Sequence, residues 1–256
     1  FGSVSAACLL LVALGCDEGE ADPTPDASAP ATDAGPPAPP DAGPPREVPC
    51  IDESIGELML QDTVTPGEIT DESTGDGPFR TLVDASAGGF PPSEGYVYGR
   101  FTDTGLEKIA IDDEAAFESL EWHIAFRRFV IRVNSGVSGP GRVTVARTAP
   151  ETTFDGLDAV PEGLSFREEA YLTDTCEFVT DGSGIGSPAT AMSSFWEYPG
   201  CVAMTGNVFI IRLPSERHLK IQVLSYYDPE VQEMCDENGG RITPAGSGNV
   251  RIRWAY

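Results

Sequence analysis

The sequence predicts an all-β fold: a single antiparallel β domain with long loops, preceded by a lipoprotein signal and a disordered linker. Three observations predict it. Apolar runs beyond residue 50 are short and bounded by turn residues. Glycine recurs along the whole of that part, with 28 in 256 residues. The stretch at 17–49, by contrast, is too polar and proline-rich to build a core.

The first element is apolar, from Ala6 to Cys16. It is too short to span a bilayer as a helix and matches the apolar region of a signal peptide. Ala13-Leu14-Gly15-Cys16 reads as a lipobox, so residues 1–16 are the leader and Cys16 the lipid anchor. Residues 17–49 hold ten prolines, and Val48 is their only β-branched aliphatic residue. Such a chain buries too little apolar surface to offset its entropy and stays extended. At about 3.1 Å per residue it spans up to ~100 Å between a membrane and the domain at 50–256. Contact with a membrane is then through the anchor alone. The location implied is the outer membrane, cell surface or periplasmic face of a Gram-negative envelope.

Within 50–256 the candidate strands are 79–83, 96–101, 106–111, 121–133, 142–147, 208–213, 218–227 and 250–256. Thr102-Asp103-Thr104-Gly105 and Pro214-Ser215-Glu216 separate two pairs as hairpin turns do. The segment 112–120, with acids at its start, is the one plausible helical turn. The strand at 121–133 carries apolar residues on both faces, interrupted by Arg127 and Arg128, so it is covered on both sides. The glycine-rich run 136–141 opens no helix and lacks the lysine of a phosphate loop; it reads as a turn.

Charge and residue chemistry narrow the function. The net charge is −25, and residues 50–256 keep 33 acids against 15 bases. That field disfavours nucleic acid and anionic lipid as partners. Two histidines are all that any histidine-based mechanism could use: His123 reads as a core residue and His218 as a solvated one. No nucleophile elbow, zinc-protease helix or calcium loop occurs, so the chain is read as no enzyme and as holding no metal site. Cys50, Cys176, Cys201 and Cys235 form an even set without a Cys-x-x-Cys pair, which in an exported protein predicts two disulfides. Spacing favours Cys176–Cys201, which closes a loop of about 25 residues, and Cys50–Cys235.

Two motifs carry a resemblance. Trp122-x-Ile124-Ala125-Phe126 runs into Asn134-Ser135-Gly136, and far downstream a hairpin ends in Leu224-Ser225-Tyr226-Tyr227. In this order they resemble the HmuY family of bacterial haem-binding lipoproteins, over roughly residues 78–256. The resemblance implies an HmuY-like β domain. It also implies capture of haem, from solution or from haemoproteins, and delivery to an outer-membrane haem transporter. Two axial side chains would face each other across the iron, His in some members and Met in others. The first position falls between Tyr171 and Met192. The second follows Trp196-Glu197-Tyr198, near Gly200 or Cys201. No histidine stands in either region, which leaves Met192 and Met204 as a thioether pair. Tyr171, Phe195, Trp196 and Tyr198 are the candidate pocket wall. The alternative is a disulfide-stapled surface or adhesion module that kept the fold and lost haem, because a Cys176–Cys201 link would join the two ligand loops.

Overall fold

The computed structural model describes residues 43–75, 77–239 and 245–256. The leader, the anchor at Cys16 and most of the linker lie outside the described residues. The last linker residues are packed on the domain: Val48 is buried, and Arg46 pairs with Glu168.

Among the described residues, twelve strands and two α-helices follow in the order α1 (Ile51–Glu57), β1 (Ile69–Asp71), β2 (Phe79–Asp84), β3 (Val97–Thr102), β4 (Gly105–Ile109), β5 (Ile124–Arg127), β6 (Val130–Val133), β7 (Thr144–Arg147), β8 (Trp196–Glu197), β9 (Ala203–Met204), β10 (Val208–Arg212), β11 (His218–Ser225), α2 (Pro229–Asn238) and β12 (Asn249–Ala255). Every strand pair is antiparallel. One sheet runs β1-β2-β12-β11-β10-β7, a second β4-β3-β5-β6, and β8-β9 forms a ribbon. The long strands β11 and β12 alternate between buried and half-buried residues along their length. That period of two is what one covered face of a sheet requires. The main core takes Val83, Phe209, Ile221, Ile252 and Trp254 from the first sheet and Val97, Ile124, Phe126, Ile131 and Val133 from the second. A second apolar cluster uses Trp122 and Ala125 with Tyr96, Tyr98, Leu58 and Tyr171. Strand β5 is therefore covered on both sides, as its composition predicts.

The expected single strand at 121–133 is a tight hairpin. Arg127 pairs with Val130, leaving Arg128 and Phe129 as the turn. Arg128 sits at φ 52, a conformation that usually marks glycine or asparagine. No turn residue announces this reversal. The same motif ends at Asn134, whose side chain accepts from Gly141 N and donates to the Ser119 and Trp122 carbonyls, each at 2.9 Å. A Cβ at Gly141 would stand 2.6 Å from the Asn134 carbonyl oxygen, so the glycine-rich turn wraps that side chain closely.

Both α-helices escape the sequence reading, which allowed a helical turn only at 112–120; a 3-10 turn does form there, at Ala115–Phe117. Helix α2 has readable ends, Pro229 in its first turn and Gly239 at φ 61 after its last. Its acid-rich body hides the short apolar stripe. The missed helices explain the wrong cysteine pairing. Cys50 precedes α1 and bonds to Cys176; Cys235 on the buried face of α2 bonds to Cys201. Each cysteine of the Cys176–Cys201 pair expected from spacing is instead tied to a helix end or face.

Arg132 is wholly buried behind the second sheet. It donates to the Tyr98 hydroxyl and to Ser138 Oγ, lies 4.0 Å from Asp113, and stacks 4.3 Å over the Tyr96 ring. Asp113 in turn accepts from Tyr98 OH and from the backbone of Tyr96 and Gln61, each at 2.9 Å. Nearby Glu169 accepts from Val133 N at 2.9 Å and Ala191 N at 2.8 Å, tying the chain before Met192 to β6. Burial pushes the Glu169 carboxyl up to about 7, against the pull of those two N–H groups and of Arg132 and Arg167.

Arg132→Ala leaves Asp113 buried without its cation and should lower unfolding stability by about 3–5 kcal/mol in a urea titration; an unmoved midpoint would contradict the arrangement. Because Glu169 binds its proton more tightly folded than unfolded, its contribution is complete below about pH 4.5 and lost as pH rises through about 7. The stability difference between the native chain and Glu169→Gln should therefore shift by about 3 kcal/mol across that window. Parallel pH profiles would rule this out. Peptide mapping without reduction should recover the links 50–176 and 201–235 and no 176–201 link.

Candidate functional site

The hairpin turn that interrupts the signature strand builds the floor of a cleft. Arg127, Arg128, Phe129 and Val130 line it, with Tyr96 beside them. The end of α1 supplies Leu58 and Met59, the loop before β3 supplies Phe90 and Pro92, and the loop at 178–188 supplies Phe178 and Ile185. Its volume is about 260 Å³. Three large apolar side chains stand open around it: Phe90 is 77% exposed, Met59 48% and Ile185 41%. Convergence of such residues on one concavity marks a binding surface rather than scattered exposure.

Two guanidiniums hold the cleft in shape. Arg127 donates to the Leu58 and Met59 carbonyls and stacks 4.3 Å over Tyr96. Arg128 donates to the Gly89 carbonyl at 2.9 Å and lies 5.5 Å over Phe90. Its Nε and the Tyr96 hydroxyl are buried and have no hydrogen-bond partner among the described residues. Buried donors are rarely left so, and a bound acceptor is one way to satisfy them.

The buried residues expected as a pocket wall are divided between two clusters. Phe129, in the cleft, packs 5.0 Å from Trp196, and Trp196 meets Tyr198 edge-on at 6.5 Å. Phe195 is buried in the same core, while Tyr198 is 45% exposed. Tyr171 stands apart in the second cluster, donating to the Val137 carbonyl at 3.2 Å. Met192 belongs to the main core, and Met204 packs against it. Met192 has 0% exposure; Met204 is half-buried opposite Trp196 in the β8-β9 ribbon. In this conformation Met192 is enclosed and offers no sulfur to a ligand.

Fit to haem therefore divides. The apolar rim and the unpartnered donors suit a flat apolar molecule that carries carboxylates, whereas the thioether pair does not face a slot. Sequence reasoning missed Met59, Phe90, Arg127 and Arg128 as site residues. The signal available was the Arg127-Arg128 pair breaking a strand apolar on both faces. His123 is buried, with Nδ1 accepting from Phe101 N at 3.2 Å. His218 is half-buried against Phe166 rather than solvated, in a separate cavity of about 340 Å³. Among the described residues, the one grouping with metal-ligand spacing is Cys50, Glu53 and Cys176, and its two sulfurs form a disulfide. No helix among the described residues is long and apolar enough to cross a membrane.

No curated protein matches the chain. Among solved structures, a Bacteroides vulgatus protein described as HmuY-like and heme binding is 18% identical, covering 76% of this chain and 97% of that one with a TM-score of 0.44. A Tannerella forsythia apo HmuY analog is 15% identical, covering 76% and 96%, with a TM-score of 0.33. The family model described as HmuY protein matches residues 92–238, from the loop before β3 to the end of α2. That match spans more than half of the 256 residues and includes both signature motifs, and the chain belongs to the HmuY family.

Proposed function

We propose that this chain is an exported, lipid-anchored binding protein that captures haem for uptake, with no turnover, and that haem docks at the cleft beside the β5-β6 turn. One observation carries the reading: exposed Phe90, Met59 and Ile185 converge on a single concavity that Tyr96 and Arg128 also line. Aromatic and aliphatic side chains cover the face of a macrocycle, and a guanidinium or phenol donates to its carboxylates. Bound haem would supply the iron. Met59 is the thioether already open to the cleft, and Met192 and Met204 reach a ligand only if the β8-β9 ribbon lifts from the core. Both remain in the proposal as ligands of such an opened form. Thioether ligation raises the iron potential relative to imidazole. Anchoring through Cys16 and transfer to an outer-membrane haem transporter complete it. Membership of the HmuY family supports the haem-capture part of this reading.

A second reading has its own observation. Met192 is fully enclosed, and the Cys201–Cys235 bond fastens the chain just before β9 to α2. On that reading the chain is a stapled surface or adhesion module that kept the fold without haem.

Haemin titrated into the full mature chain, disulfides intact, separates the two. The haem reading predicts saturation at about one equivalent, and at least tenfold weaker binding for Phe90→Ala combined with Ile185→Ala, about 1.4 kcal/mol. Iron-free protoporphyrin in parallel separates docking of the ring from ligation of the iron. Loss of a low-spin spectrum in Met59→Ala, or in Met192→Ala and Met204→Ala, identifies the thioether ligand. A featureless titration would leave the surface-module reading; equal affinity in the rim variant would remove the cleft.

A further inference from the structure

A further cavity, sharing no residue with the cleft, lies between α2 and the sheet. Its volume is about 390 Å³, and Arg80, Ser225 and Arg251 line one side while Glu233, Asp236 and Glu237 line the other. Ser225 and Arg251 are direct cross-strand partners in β11 and β12. Side chains so paired stand about 5 Å apart on one face. Arg80 lies two residues before Leu82, which pairs with Arg251, so it projects from the same face. The register of β11 shifts between Val223 and Ser225, and such a bulge re-aims the side chain that follows it.

Two polar atoms here have no hydrogen-bond partner among the described residues. Ser225 is 4% exposed with its Oγ unbonded, and Arg251 Nη1 is buried and unbonded. Arg251 uses its Nε on Glu72, at 3.2 Å. A hydroxyl and a guanidinium N–H on cross-strand partners, both without a hydrogen-bond partner, are donors of the kind a carboxylate takes. Charge decides what else that carboxylate must carry. Arg80 and Arg251 are outnumbered by Glu72, Glu233, Asp236 and Glu237. Asp236 already accepts from Met204 N and Gln232 Nε2, both at 2.9 Å, whereas Glu233 and Glu237 are exposed on α2. A bare anion is repelled by this surplus, and a bare cation leaves the two open donors unused.

We infer that this cavity binds a small zwitterion, a free α-amino acid, with its carboxylate on Ser225 Oγ and Arg251 Nη1 and its ammonium toward Glu233 and Glu237. The site is independent of haem binding. The full chain, labelled with nitrogen-15, is titrated separately with L-alanine, acetate and methylammonium, following the amides of Ser225, Glu233 and Arg251. The expected result is saturable movement of these amides with L-alanine and at least tenfold weaker effects of acetate and methylammonium. Ser225→Ala removes an unbonded buried hydroxyl, so the variant keeps its fold. It should weaken L-alanine at least tenfold without altering haemin binding. Amides unmoved by L-alanine, acetate acting as strongly as the amino acid, or unchanged affinity in Ser225→Ala would each overturn the inference.

Discussion

The outer side of the β4-β3-β5-β6 sheet depends on one buried cation. Arg132 is taken out of water completely, and a bare guanidinium in that position would be very costly. Asp113 supplies the opposite charge, Tyr98 and Ser138 take its N–H groups, and Tyr96, Tyr98, Phe117 and Trp122 all have rings within 6 Å of its guanidinium carbon. The partners come from four separate stretches of chain, so satisfying this one residue fixes their mutual placement. Arg127 lies at the same 4.3 Å from the Tyr96 ring as Arg132 does. Both guanidiniums therefore bear on the one Tyr96 ring. The floor of the cleft is thereby set before any ligand arrives.

From this constraint the two helices acquire their roles. Helix α1 is short and buries only Ser54 within its own length, while just past its end Leu58 joins the second apolar cluster and the Leu58 and Met59 carbonyls accept from Arg127. The Cys50–Cys176 bond fixes its other end to the turn that precedes the loop at 178–188, so one disulfide positions two walls of the cleft. Helix α2 does the same for the β8-β9 ribbon, through Cys201–Cys235 and through Asp236 accepting from Met204 N. The two staples thus brace the cleft and the ribbon separately. The objection that a Cys176–Cys201 bond would sew the ligand loops together does not arise.

The sheets were legible because their strands alternate. Burial in β11 and β12 repeats every second residue, and the strands expected at 218–227 and 250–256 cover both but for Asn249. Signals failed where chemistry ran against local preference. Arg128 occupies a left-handed turn position without being glycine, held by its N–H on the Ala85 carbonyl at 2.6 Å and its guanidinium on Gly89. That tertiary support overrides the local preference of the residue. Helix α1 follows a cysteine rather than a capping side chain, and the disulfide replaces the cap. The cleft residues come from four segments distant in sequence. Only the broken alternation at Arg127 and Arg128 pointed toward them. Met192 and Met204 stood at positions implied by family likeness, and packing, which sequence alone does not report, encloses the first.

Hydrogen exchange of the full chain with and without haemin tests the central claim, that the cleft beside the β5-β6 turn is the ligand site. The account predicts slowed exchange at residues 57–59, 88–90, 127–130 and 185–187, which line or adjoin it. Slowing confined to residues 196–204 would place the ligand at the ribbon instead and contradict the account.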